Sequence, residues 1–122
     1  HALDLSPRMG ELQISRNGEL GALDPRIATP LSLVVTELIH NALEHGLAES
    51  GNHLTISVSR NEGDAQITIF DDGIGLPEGF SLAQSSNLGL QIVRTLTENE
   101  LRGNIDLVRT PSGTEARLTF PV

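Results

Sequence analysis

The chain has 122 residues, a formal charge of −8 and no cysteine, which suits a single domain and leaves neither a disulfide framework nor thiolate catalysis available. Such a length buries roughly two thirds of the unfolded surface, and so acidic a surface repels nucleic-acid phosphates. Every basic residue apart from histidine is arginine, which excludes a P-loop lysine and Schiff-base chemistry.

Residues 1–10 look irregular, with Pro7 and Gly10 as breakers and no signal-peptide pattern. The start at "HALDLSPR" lacks an initiator Met, so the expectation is a piece of a larger protein whose working domain spans 11–122. "ELQIS" (11–15) alternates as a short strand does, and Asn17-Gly18 then turns the chain. Asp24-Pro25 and Thr29-Pro30 are both helix-start signals, and a helix is expected from about 30 to Gly46. "HLTISVSR" (53–60) and "AQITIF" (65–70) alternate and are joined by "NEGD", the pattern of a hairpin. Residues 71–87 carry no period and suit a loop. A second helix is expected from Asn87 or Leu88 to about Glu98, then strands near 104–109 and 115–120 around a "PSG" turn. No apolar run reaches membrane-spanning length. The fold class is α+β, one sheet with helices on one face.

Four segments carry candidate chemistry. At 100° per residue, Leu31, Val34, Val35, Leu38, Ile39, Ala42 and Leu43 form one apolar arc, with His45 on it and Glu37 and Asn41 together at its edge. Taken alone, Glu37 and Asn41 fit a solvated surface and His45 a packed core histidine. Equally, Asn41 offers a neutral oxygen to a hard cation and Glu37 a base or acceptor. Asp71 follows directly on an apolar strand, so its carboxylate is held at a sheet end, where it can accept a hydrogen bond from an exocyclic amine. Gly73 and Gly75 leave room for a flat ring, although an acidic turn would look the same. Asp72 suits turn or cap chemistry. In "SSNLGLQIV" (85–93), Gly89 lies in the first turn of an apolar helix, where free N–H groups attract anions; Ser86 or Asn87 could cap that turn instead. Thr114 precedes the last strand and could be no more than a β-former.

The order and spacing of Glu37-x-x-x-Asn41, Asp71-x-Gly73-x-Gly75, Leu88-Gly89-Leu90 and Gly113-Thr114 resembles the ATP-binding superfamily shared by gyrase-type ATPases and sensor histidine kinases. "TELIHNALEHG" and "NLGLQIVRTL" look most like the sensor histidine kinase branch with compact ATP lids, and within it the subgroup that signals to antiterminator-type response regulators. The resemblance implies a two-layer α/β sandwich of the Bergerat type, about five mixed strands on about three helices, the third helix a short one within 20–29. It implies ATP and Mg2+ as cofactors, with Asn41 on the metal and Glu37 as the catalytic group that polarises the attacking atom or supports the metal site. Asp71 would take the adenine amino group beside Thr114, and Gly73 and Gly75 would shape the wall. Leu88, Gly89 and Leu90 would cradle phosphates, with His45 near them. The implied activity is transfer of the γ-phosphoryl of ATP to a histidine on a separate helical domain and on to a response regulator, in the cytoplasm and without membrane contact by this domain. None of His1, His40, His45 or His53 stands in a recognisable acceptor helix.

Two departures from the family pattern bear on phosphate binding. Glu44 stands where many relatives carry Lys or Arg, and residues 76–88 hold no basic side chain, which leaves magnesium, the helix N-terminus, and either Arg94 or a partner domain to balance the phosphates. "SSNLGL" is also poorer in glycine than the fuller "GxGLGL" pattern. An anti-sigma-factor serine kinase of the same superfamily and a non-catalytic nucleotide-sensing module are the alternatives.

Overall fold

The computed structural model describes residues 12–47 and 50–122; the irregular lead-in expected over 1–10 lies outside them. Five strands form one sheet: β1 (Gln13–Asn17), β2 (His53–Asn61), β3 (Asp64–Asp71), β4 (Asn104–Thr110) and β5 (Gly113–Pro121), in the order β1-β2-β3-β5-β4. β1 runs parallel to β2, and the other pairs are antiparallel, so the sheet is mixed. Two α-helices, α1 (Pro25–Asn41) and α2 (Leu88–Asn99), pack on one face and on each other.

Alternation fixes which face is inward. Along β3, Ala65, Ile67, Ile69 and Asp71 are buried, and along β5, Thr114, Ala116, Leu118 and Phe120. From the helices, Leu31, Val34, Leu38, Leu90 and Val93 meet them. The hairpin between β2 and β3 turns through Glu62 and Gly63, where Gly63 adopts φ 88°.

α1 corrects the expected boundaries. Of the two proline signals, the first starts the helix: Asp24 accepts a hydrogen bond from Arg26 N–H at 2.8 Å and Pro25 takes the first helical position. Residues 25–29 are therefore the opening turns of α1, not a third helix, and Pro30 lies inside it. Among the described residues there are two α-helices and one short 3₁₀ turn (Leu82–Gln84), against about three helices expected. α1 does not end at Asn41 either. Ala42–Gly46 continue it as a π turn, wider than the α spiral, which rotates the last side chains away from the 100° projection. His45 is accordingly exposed and not on the apolar arc.

α2 opens on Asn87, whose side chain accepts from Leu90 N–H at 3.0 Å. Arg94 pairs with Glu98 at 3.3 Å and points its other nitrogens toward the Ala83 carbonyl, tying α2 to the 3₁₀ turn. Thr97, on the inward side of α2, is fully buried, and among the described residues its hydroxyl has no partner. Replacing it by the nearly isosteric Thr97→Val removes that desolvated hydroxyl. We expect stability to rise by about 1–3 kcal/mol in denaturant unfolding. A loss would mean the hydroxyl holds a bond that matters.

Candidate functional site

The inward row at one end of the sheet changes from apolar to polar. In register across four strands stand Leu54, Asp71, Thr114 and Arg109, all facing the helices. Asp71 continues the phase of Ala65, Ile67 and Ile69, so its carboxylate occupies what would otherwise be the next core position and is 3% exposed. Burial pushes its carboxyl above the ordinary value. A hydrogen bond from Gly73 N–H to Oδ1, at 3.0 Å, acts the other way, and the neighbouring Asp72 charge adds to the rise. One carboxylate oxygen is thus held by backbone and the other is left to accept.

Room for that carboxylate depends on glycine at two places. A β-carbon on Gly46 would run into the Asp71 carboxylate, and one on Gly73 would collide with the Gly46 carbonyl. That carbonyl also accepts from Ile74 N–H at 3.0 Å, so the π turn and the loop after β3 are clamped together over Asp71. Asp72 performs the cap role expected of it. It accepts from Asn52 N–H at 2.9 Å and His53 N–H at 2.8 Å, and its other oxygen lies 3.3 Å from His53 Nδ1. Burial pushes the Asp72 carboxyl up, but these bonds outweigh it and hold the group below its ordinary value.

A cavity of about 500 Å³ opens above the row, between the π turn, the 72–87 loop and the start of α2. Asn41, His45, Asp71, Gly75, Leu90 and Thr114, all singled out in the sequence, line it. Its apolar wall comes from Ile74, Leu76, Pro77 and Phe80, and its volume and mixed lining suit a small organic ligand with a few directional contacts. A larger groove of about 930 Å³ lies between α1 and β1–β2, but its lining is mainly aliphatic and holds no buried carboxylate.

Glu37, Gly73, Leu88 and Gly89 do not line the cavity. Gly73 acts from behind through Asp71. Glu37 reaches the first turn of α2, where a β-carbon on Gly89 would meet its Oε1. Leu88 is 69% exposed, so any role it has belongs to its backbone. Among the described residues, the N–H groups of Leu88 and Gly89 have no protein partner, whereas Asn87 takes that of Leu90. The two free amides at a helix N-terminus present partial positive charge. Arg94, expected to help balance phosphate, is committed to Glu98 and lies outside the cavity lining.

Sequence inspection missed Gly46, Ser85 and Arg109. Gly46 looked like a simple helix stop, because its contact with Asp71 is long-range. Among the described residues, Arg109 is the one arginine lining the cavity, and only the β4–β5 register could have placed it there.

Residues 27–122 match the family described as histidine kinase-, DNA gyrase B-, and HSP90-like ATPase. The sensor histidine kinase PdtaS of Mycobacterium tuberculosis is 44% identical over 114 residues, which cover 91% of this chain but 23% of PdtaS; the chain spans about a quarter of that relative. Among solved structures, the histidine kinase domain of the Erythrobacter litoralis EL346 blue-light activated histidine kinase superposes with a TM-score of 0.83 over 98% of this chain and 60% of its own, at 24% identity. The catalytic domain of histidine kinase ThkA gives 0.74 over 98% and 86%, at 20% identity. Both confirm the mixed five-stranded sheet with its helices on one face, and neither bears on more than the fold. The matched residues and the identity to PdtaS together place the chain in the histidine kinase-, DNA gyrase B- and HSP90-like ATPase family.

Proposed function

We propose that the cavity over Asp71 binds the adenine of Mg-ATP and that the domain passes the γ-phosphoryl group to a histidine on a separate helical domain, for relay to a response regulator. The observation that carries this is the buried, half-satisfied carboxylate of Asp71 at the cavity floor. Ionised, it is purely an acceptor, and the exocyclic amine of adenine is a donor of matching size. Thr114, its cross-strand neighbour, adds a hydroxyl within reach of the same ring edge. The polyphosphate would extend toward α2, where the amides of Leu88 and Gly89 are free.

Magnesium fits the residues present. Asn41 lines the cavity with an amide oxygen, and Glu37, one helical turn away, puts a carboxylate beside Gly89. A carboxylate next to phosphate-binding amides repels the phosphates unless a cation stands between. Among the described residues no three acidic or histidine side chains cluster into a ready cage. That is the expected donor set for magnesium, which takes one or two protein oxygens and fills the rest of its octahedron with phosphate and water. When bound, the ion would neutralise charge developing on the transferred group. Glu37 is then placed to orient the attacking nitrogen or to steady the metal through water, and His45 lies exposed at the rim where the phosphates would pass.

Residues 76–87, in the stretch between β3 and α2, would serve as a lid that orders over nucleotide, and its brevity supports assignment to the subgroup that signals to antiterminator-type regulators. Residues 11–122 form the proposed working unit. No described helix is long and apolar enough to cross a membrane; a cytoplasmic place of work is part of the proposal.

Asp71→Asn separates function from stability. Gly73 N–H needs an acceptor, so the amide oxygen turns to it and the amide NH2 faces the adenine amine, donor against donor. ATP affinity in calorimetry should fall about 10- to 150-fold, the worth of one charge-assisted hydrogen bond. Stability moves the other way. Because burial raises the Asp71 carboxyl, the folded wild type holds its proton longer than the unfolded chain does. Its stability therefore declines, relative to the variant, as pH rises from the ordinary value of 3.8 through the raised one, and is level above that. Unchanged ATP affinity would remove the adenine assignment.

Two further variants divide the other end of the site. Asn41→Ala should weaken ATP binding only when magnesium is present and leave adenosine binding intact; an equal loss for adenosine rules out the metal role. Glu37→Gln, tested for autophosphorylation in the full-length kinase, should depress turnover more than nucleotide affinity. Matching losses in both would make Glu37 structural.

A further inference from the structure

We propose that Arg109 is a base-binding residue of the nucleotide site, its guanidinium lying against the face of the purine that Asp71 holds by its amino edge. The inference rests on the adenine assignment and adds a residue to it. Arg109 sits in phase with Ile105 and Leu107 on the inward side of β4, both of which pack on the core. Its register partner is Thr114, whose partner on the other side is Asp71. Two strand spacings therefore separate Arg109 from Asp71, about 10 Å, which leaves room for a flat ring between them.

Three observations point to the base and not to the phosphates. First, Arg109 lines the same cavity as Asp71 and Thr114 and stands in their row at the sheet end: its stem packs beside Gly75, with Cγ and Nε each 3.7 Å from where a β-carbon on that glycine would stand. Second, Gly75 adopts φ 82°, a left-handed conformation that glycine favours, and the turn it makes brings the loop after β3 alongside the stem of Arg109. Third, the guanidinium is uncommitted. Arg26, Arg60, Arg94 and Arg117 each bind an acceptor, whereas Arg109 is exposed and makes no ion pair or hydrogen bond among the described residues. A planar cation with no partner among the described residues, at the edge of a cavity lined by the apolar Ile74, Leu76, Pro77 and Phe80, is suited to stacking on an aromatic ring. The chain offers no Trp or Tyr for that purpose.

NMR titration of adenosine and of Mg-ATP into the wild type, Arg109→Ala and Arg109→Lys tests this. Stacking predicts that Arg109→Ala weakens both ligands by the same factor, about 2- to 5-fold, and that Lys, which lacks the flat guanidinium, does not restore them. The loss should also be insensitive to added salt. A loss confined to ATP, recovered by Lys or screened by salt, would make Arg109 a phosphate ligand and overturn the inference. So would unchanged affinities. In the unmutated protein, nuclear Overhauser contacts from the Arg109 side chain to adenine H2 or H8 should appear on saturation, and their absence would also overturn it. If the wild type binds neither ligand, the adenine assignment itself fails; if it binds both and the variants match it, only the role of Arg109 falls.

Discussion

The site turns on a carboxylate placed where the alternation of a strand calls for a hydrophobic side chain. Asp71 takes the last inward position of β3, and the sheet is built so that it can stay there. Gly46 has no side chain to occupy the space, Gly73 supplies an N–H to one oxygen, and Ile74 locks the loop back onto the π turn. Moving any of these by one residue would either fill the cavity or expose the carboxylate to water. Burying a charge with only part of its hydrogen bonding satisfied costs stability. A cost kept at one point of a fold that is otherwise regular marks a place where a ligand supplies what the protein leaves out.

The two ends of the cavity have opposite electrostatic character. At the sheet end, Asp71 and Thr114 offer acceptors to a base. At the α2 end, free amides offer donors to an anion, with Glu37 close by and Glu44 on the preceding turn paired to His40 at 2.7 Å. Arg94 is spent on holding the 3₁₀ turn, so among the described residues no arginine lines the α2 end of the cavity. With a formal charge of −8 over the chain, an unaccompanied triphosphate would meet repulsion, which the proposed divalent cation beside Glu37 and Asn41 would offset.

What the sequence made legible followed local period. The β2–β3 hairpin, α2 with its Asn87 cap, and the terminal strands fell within a few residues of their positions. Asp71, as the residue that completes an alternating run, could be placed at a sheet end before any coordinates. Position along α1 was harder. Two Asp/Thr-Pro signals compete, and only packing of residues 25–30 against the rest of the fold selects the first. The π turn left no trace in composition, so His45 was projected onto an apolar arc from which the wider spiral removes it. Gly46 and Arg109 belong to the site through strand register and loop closure across more than twenty residues, information no window of sequence carries.

The central claim is that the second oxygen of Asp71 recognises an amino group. Inosine triphosphate matches ATP in ring, sugar and phosphates but has a carbonyl where adenine has its amine, so it sets acceptor against acceptor at that single point. Calorimetric titration of the wild-type domain with the two nucleotides, both with magnesium, measures the difference directly. The structure predicts that inosine triphosphate binds at least about 10-fold more weakly. Equal affinity would mean that Asp71 does not read the base.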